Sequence, residues 1–94
     1  MSVALAVTPA SGSITAKSTV VRIDVTGGNP DVTARLKLTA SGQTTLISPS
    51  DFRPSSDGNH TWFSVMFPAA GSWTATLYKS SDDTSLATLG ITVA

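Results

Sequence analysis

The sequence predicts an all-β fold of about seven strands, a two-sheet β-sandwich or, as the alternative, a small barrel. Ser and Thr together supply 28 of the 94 residues and Glu does not occur, a composition typical of strands and turns rather than helices. No segment carries an apolar repeat at the helical period over a normal helix length. Apolar and polar residues instead alternate in short runs, with turn signals at spacings of roughly 8 to 12 residues.

The clearest run is Ala69–Tyr78, which follows a Pro-Ala-Ala-Gly corner at residues 68–71. Trp73, Ala75 and Leu77 fall on one face of this strand and are expected to be buried. Trp73 is the largest of them and is predicted to be the keystone of the core. The opposite face is expected to be exposed to solvent, and it carries Ser72, Thr74, Thr76 and Tyr78.

The other strands follow from the same alternation. Their predicted inward residues are Val3, Leu5 and Val7; Val21, Ile23 and Val25; Ala34, Leu36 and Leu38; Phe63, Val65 and Phe67; and Ala87, Leu89, Ile91 and Val93. Ile14 is expected to return briefly to the core, and Gln43–Ile47 to form an edge strand. Ser48–Asn59 has no periodicity and is predicted to be a long loop, pinned across the open end of the core by Phe52.

The composition argues against several classes of function. Six basic and six acidic residues cancel, and the basic residues are scattered singly, so no basic stripe is available to neutralise nucleic-acid phosphates. No apolar run approaches the roughly 18 to 20 residues of a membrane-spanning helix. The lack of cysteine excludes disulfides and thiolate metal sites. Residues 1–94 are therefore expected to form one domain that binds neither nucleic acid nor membrane.

No group of residues specifies an enzyme. His60 is the only histidine and is expected at a strand end on the surface, so the chain offers no two-histidine metal site. Asp82 and Asp83 offer carboxylates to Ca²⁺, but without EF-hand spacing a solvated hairpin tip is the simpler interpretation. Residues 57–59 are likewise a turn signature, and no helix follows the glycines at 27–28 to bind phosphate. We expect no catalysis, no cofactor and no metal.

Bulky residues that face outward are the more informative feature. If the inward assignment of residues 63, 65 and 67 is right, Trp62 and Met66 project from the opposite face of that strand. With Val20 on the neighbouring second strand they would form an apolar patch flanked by Arg22 and Asp24, and such patches usually mark a contact. The alternative is that the long loop covers Trp62. Tyr78 is expected to be a lone surface aromatic, and the outermost strands, Val3–Val7 and Ala87–Val93, offer free edges.

The Trp73 segment resembles the corner and sixth strand of immunoglobulin-like domains, in which an aromatic residue, usually Tyr, follows a small-residue corner. Ala75 then takes the core place often held by Cys, Ile23 the opposing place on the second strand, and Leu36 the place of the third-strand Trp. Trp73 lacks the hydroxyl with which Tyr ties this corner. Within the superfamily, the run Ala-Gly-Ser-Trp-Thr at 70–74 is most similar to bacterial and phage immunoglobulin-like domains.

This resemblance implies a structural role, because such domains decorate tailed-phage heads and tails or form repeats in bacterial surface proteins. The run Met1–Val7 has no basic n-region of a signal peptide, which favours the phage setting and a virion location. The leading expectation is a head decoration subunit that binds the major capsid protein or another virion protein, and its own copies. The alternatives are a carbohydrate-adhesion module, with Trp62 or Tyr78 stacking on sugars, and a spacer domain of a tail or surface protein.

Overall fold

Seven strands in two antiparallel sheets make up the described part of the chain. The computed structural model describes residues 3–27, 31–47 and 61–94, with residues 61–63 described by their backbone alone. The strands are β1 Ala4–Thr8, β2 Val21–Thr26, β3 Ala34–Thr39, β4 Leu46–Ile47, β5 Thr61–Val65, β6 Gly71–Lys79 and β7 Ser85–Val93. One sheet has the order β1-β2-β5 and the other β4-β3-β6-β7. The described residues contain no helix, which confirms the all-β prediction.

The inner faces of the two sheets share one hydrophobic core, so the described part of the chain is a β-sandwich. Alternation along each strand sends every second side chain to this core. The buried residues are Val21, Ile23 and Val25 of β2, Ala34, Leu36 and Leu38 of β3, Trp73, Ala75 and Leu77 of β6, and Ile91 and Val93 of β7. The inward faces predicted for these strands are therefore confirmed.

Two of the predicted strands are shorter than expected. The edge strand predicted over Gln43–Ile47 is paired only at Leu46 and Ile47, opposite Leu38 and Lys37 of β3. The strand predicted over Thr61–Phe67 ends as β5 at Val65, although Phe67 is buried as expected. The predicted loop Ser48–Asn59 with Phe52, the histidine His60 and the side chains of Trp62 and Phe63 lie outside the described residues.

The segment 11–16 crosses to the edge of the second sheet and pairs in parallel with the end of β7. Ile14 forms a bridge with Val93 and is fully buried, which confirms its predicted return to the core. The N–H of Gly12 donates to the carbonyl of Thr92 (3.0 Å), and the N–H of Ala94 donates to the carbonyl of Ile14 (2.8 Å). The prediction that Ala87–Val93 is a free edge throughout is therefore wrong at its C-terminal end, where the chain covers its own edge.

Trp73 joins the core to the corner that precedes β6. Its ring lies beside that of Phe67, with a centroid separation of 5.2 Å and a tilt of 55°. Its indole Nε1–H donates to the carbonyl of Ala69 at 3.0 Å, so the indole itself ties this corner to the start of β6 without a hydroxyl. Gly71 has a φ of 133°, a conformation open to glycine, and a side chain there would meet no neighbouring atom, so backbone shape alone requires glycine.

We predict that Trp73→Ala lowers the free energy of unfolding by about 3 to 5 kcal/mol, because it empties the largest buried volume of the core. Trp73→Phe keeps an aromatic ring and loses the hydrogen bond to Ala69, so its cost should be smaller and include about 1 kcal/mol for that bond. Urea unfolding of the three proteins measures both values. A cost below about 1 kcal/mol for Trp73→Ala would contradict the assignment of the keystone.

Candidate functional site

Two of the predicted interface residues, Val20 and Met66, lie together at one end of the three-stranded sheet. Val21 at the start of β2 is the register partner of Val65 at the end of β5, so Val20 and Met66 adjoin this pair directly. Because Val21 is buried, its neighbour Val20 points away from the core, and its side chain is 66% exposed. Met66 precedes the buried Phe67 and is 46% exposed. We refer to these two residues as the Val20–Met66 corner.

An ion pair lies next to this corner on the same outward face. Arg22 Nε is 2.8 Å from Asp24 Oδ1, two residues further along β2. A pair this exposed adds little to stability, but it holds the guanidinium beside the corner. Asp24 is the register partner of Trp62, and Arg22 that of Ser64. The ion pair therefore stands between the corner and the backbone of Trp62, which is roughly 13 Å from Met66 along the strand.

The rest of this outer face carries small side chains. Ala4, Ala6 and Thr8 of β1 are exposed, and the last two lie opposite Asp24 and Arg22 in the register of the sheet. Such short side chains rise little above the backbone. Among the side chains that the structure describes on this face, the corner and the ion pair therefore project furthest.

The outer face of the four-stranded sheet has a different chemistry. Strands β6 and β7 present hydroxyls and a glycine there, namely Ser72, Thr74, Thr88, Gly90 and Thr92, all exposed. Strand β3 adds two basic residues to this face, Arg35 and Lys37, both half-buried. Ile47 on the edge strand β4 is 49% exposed, and the sequence interpretation did not single it out. The signal was available, because Leu46 and Ile47 are adjacent and two successive strand residues point to opposite faces.

The prediction that Tyr78 is a lone surface aromatic is wrong. Its side chain is 8% exposed although it lies on the outward face of β6, opposite Arg35. The Nζ of Lys37 lies over its ring, 5.1 Å from the centroid, in a cation–π contact. A β-bulge between Leu77 and Tyr78 changes the register at this point. Tyr78 therefore offers no open ring for a sugar.

The hairpin tip that carries Asp82 and Asp83 is built by hydrogen bonds within the loop. Asp82 Oδ1 accepts hydrogen bonds from the Thr84 hydroxyl (2.7 Å) and the Thr84 N–H (3.1 Å), and these bonds lower the pKa of the Asp82 carboxyl. Asp83 has a φ of 61°, and its N–H donates to the carbonyl of Lys79. These contacts are those of a tight turn. Within the described ranges, no three His, Asp or Glu side chains cluster as metal ligands.

The predicted core residues Trp73, Ile23, Leu36 and Ala75 are all buried in the sandwich and belong to its packing rather than to a surface. Comparison of the chain with protein-family models, curated proteins and solved structures found no match. The part of the chain that the structure describes forms no helix long and apolar enough to cross a membrane.

We predict that Thr84→Val raises the pKa of Asp82 toward its ordinary value, because it removes the hydroxyl that most favours the carboxylate. A pKa that is lower in the folded than in the unfolded protein stabilises the fold above the unfolded value and loses this effect as the pH falls through the folded value. In Thr84→Val, the free energy of unfolding should therefore fall less than in the unaltered protein as the pH is lowered through the acid range.

An NMR titration of the Asp82 carboxyl carbon measures this pKa directly. Thr92→Val makes the same chemical change at an exposed position of β7, away from the loop, and should leave the titration unchanged. Identical Asp82 curves for Thr84→Val and the unaltered protein would contradict the role of the hydroxyl.

Proposed function

We propose that this chain is a structural virion protein, a head decoration or cement subunit that binds the phage capsid surface through protein–protein contacts. Its partners are the major capsid protein or another virion protein and further copies of itself, and it works without turnover, cofactor or metal. It is made in the host cytoplasm and resides in the virion. The observation that carries this proposal is the exposed Val20–Met66 corner beside the Arg22–Asp24 ion pair.

The corner has the composition of the centre of a protein interface. Met66 is flexible and polarisable and adapts to an irregular partner surface, and Val20 is a rigid branched neighbour. Arg22, pre-ordered by Asp24, supplies the polar rim that surrounds such apolar centres. Burial of one such side chain contributes about 1.5 to 3 kcal/mol, so the two residues could contribute a substantial part of a binding energy. Trp62 is the fourth predicted interface residue, and it would extend the contact surface along the same face.

The phage assignment is supported by the resemblance of residues 70–74 to phage immunoglobulin-like domains. The hydrogen bond from Trp73 to Ala69 adds to that resemblance, because it ties the corner in the way that the aromatic residue of these domains does. A role as a sugar-binding adhesin has less support, because Tyr78, one of its two candidate stacking residues, lies under Lys37.

We predict that the double variant Val20→Ser, Met66→Ser loses at least about tenfold in affinity for the capsid, because it removes the apolar centre of the interface. Both side chains are exposed, so the melting temperature should change little. Binding is measured by co-sedimentation with empty shells assembled from the major capsid protein of the same genome. Ile47→Ser is the matched control, because Ile47 is similarly exposed but lies on the other sheet. This variant should bind the shells as tightly as the unaltered protein does.

Equal losses for the double variant and for Ile47→Ser would contradict the corner as the docking point. Trp62→Ala tests the extension of the face: loss of binding at an unchanged melting temperature places Trp62 in the interface, whereas lowered stability with unchanged binding places it in the core. A protein that is monomeric at every concentration and does not bind shells would reject the decoration role and favour the spacer. Binding on a glycan array would favour the adhesin.

A further inference from the structure

The outer edge of β7 is only partly occupied by the chain itself. Backbone groups of Thr92 and Ala94 point away from β6 and bond to residues 11–16: the Thr92 N–H donates to Ser11 Oγ (2.8 Å), and the Ala94 carbonyl accepts from the Ala16 N–H (2.8 Å). Because backbone direction alternates along a strand, the groups of Gly90 and Thr88 point to the same side. β7 is the last strand of its sheet in the described chain, so no further strand pairs with these groups there.

The free part of this edge is short and has defined ends. At one end, residues 11–16 occupy the edge from Thr92 onward. At the other end, a β-bulge leaves Leu86 without a partner on β6, since Ala87 pairs with Leu77 and Ser85 with Tyr78. Bulges twist a strand and end regular pairing. Among the described residues, nothing pairs with the edge of residues 87–91, so a fifth strand of five residues could add there through the hydrogen-bonding groups of Thr88 and Gly90.

The strands on this side of the sandwich carry no charged side chain. The segments 1–16 and 84–94 contain neither Lys, Arg, Asp nor Glu, and β1 and β7, which they form, contact each other at one side of the sandwich. Proteins usually protect an edge strand with charged residues or proline, because an unprotected edge pairs with other chains. The free segment of β7 has neither protection. Its inward residue Leu89 is only half-buried, so apolar area at the rim of the core remains to be covered.

We propose that the free segment of β7 pairs with the same segment of a second copy of this chain, antiparallel and about a two-fold axis at Leu89. This inference rests on the self-association that the proposed function includes. In this register Thr88 lies opposite Gly90 of the other copy, and each such pair exchanges two backbone hydrogen bonds. Leu89 lies opposite its own counterpart in a close, non-hydrogen-bonded pair, which buries both side chains at the rim of the core.

Three features favour a second copy as the occupant. The segment is complementary to itself, because Thr88 and Gly90 exchange places under the two-fold axis. No like charges meet, since β7 carries none. Gly90 has no side chain, and a Cβ built there would touch nothing, so the Thr88 side chain of the other copy, which lies opposite Gly90 on the same face, has room. Five residues bury less than the roughly 800 Å² per partner of a standard interface, so the dimer should dissociate on dilution.

The first test removes one backbone donor. Thr88→Pro deletes the N–H that points to the second copy while leaving the bonds between β6 and β7, and an edge strand accepts proline at such a position. Sedimentation equilibrium should show a dimer dissociation constant raised at least about tenfold, from the loss of one bond per copy. Thr88→Val, which keeps the N–H, is the matched control and should dimerise as the unaltered chain does.

The second test reads the register directly. The chain has no cysteine, so a single cysteine reports only on its own position. Leu89→Cys places two sulfurs across the axis at a separation that a disulfide spans, and mild oxidation with oxidised glutathione should give covalent dimers. Ala87→Cys is the matched control, because residue 87 lies opposite residue 91 of the other copy and should crosslink far less.

Unaltered protein that stays monomeric at all concentrations, or Thr88→Pro that dimerises as tightly as Thr88→Val, overturns the proposal. Equal crosslinking at positions 87 and 89 overturns the register. If the unaltered protein forms no dimer at any concentration, and Thr88→Pro but not Thr88→Val loses shell binding, the edge pairs with a strand of another protein instead. None of these results touches the Val20–Met66 corner, whose variants test capsid binding separately, so failure of the edge and failure of the proposed function are distinguishable.

Discussion

The rest of the sandwich depends on the contacts of the Trp73 indole. It fills the centre of the core against Phe67 and at the same time binds the carbonyl of Ala69, so one side chain sets both the packing of β6 and the corner from which β6 starts. β6 lies between β3 and β7, so its position determines that of both neighbours. A corner tied to the core in this way replaces the disulfide that a domain of this size often needs.

The two outer faces of the sandwich divide into an apolar corner and a hydroxyl-rich surface. The three-stranded sheet presents mostly short side chains, above which Val20, Met66 and the Arg22–Asp24 pair project. The outer face of the four-stranded sheet presents Ser and Thr hydroxyls with the basic residues Arg35 and Lys37, and Lys37 lies over Tyr78, the described aromatic on that face. Partner binding is therefore expected on the first face and at the strand edges, where solvent contact is least favourable.

Edges limit the stability of every open sandwich, and this chain treats its edges unequally. Residues 11–16 leave the first sheet and cover the end of β7, which satisfies backbone groups that would otherwise face water alone. The backbone edge of the five residues before that point pairs with no other described strand, and these residues carry no charged side chain. In the proposed decoration role, copies held close together on a shell would pair through such an edge more readily than in dilute solution, because proximity raises the effective concentration.

The sequence by itself determined the strands and their inward faces. Alternation is a local property with a period of two, so Ile23, Leu36 and Trp73 could be assigned to the core, and Val20 and Met66 to the surface, without knowledge of any neighbour. Only the tertiary structure decided what lies across from each residue. The adjacency of Val20 and Met66, the burial of Tyr78 under Lys37 and the pairing of Ile14 with Val93 depend on strand register and on contacts between distant segments. A period-two pattern carries no information on which strands pair or in what register, because many pairings satisfy the same alternation.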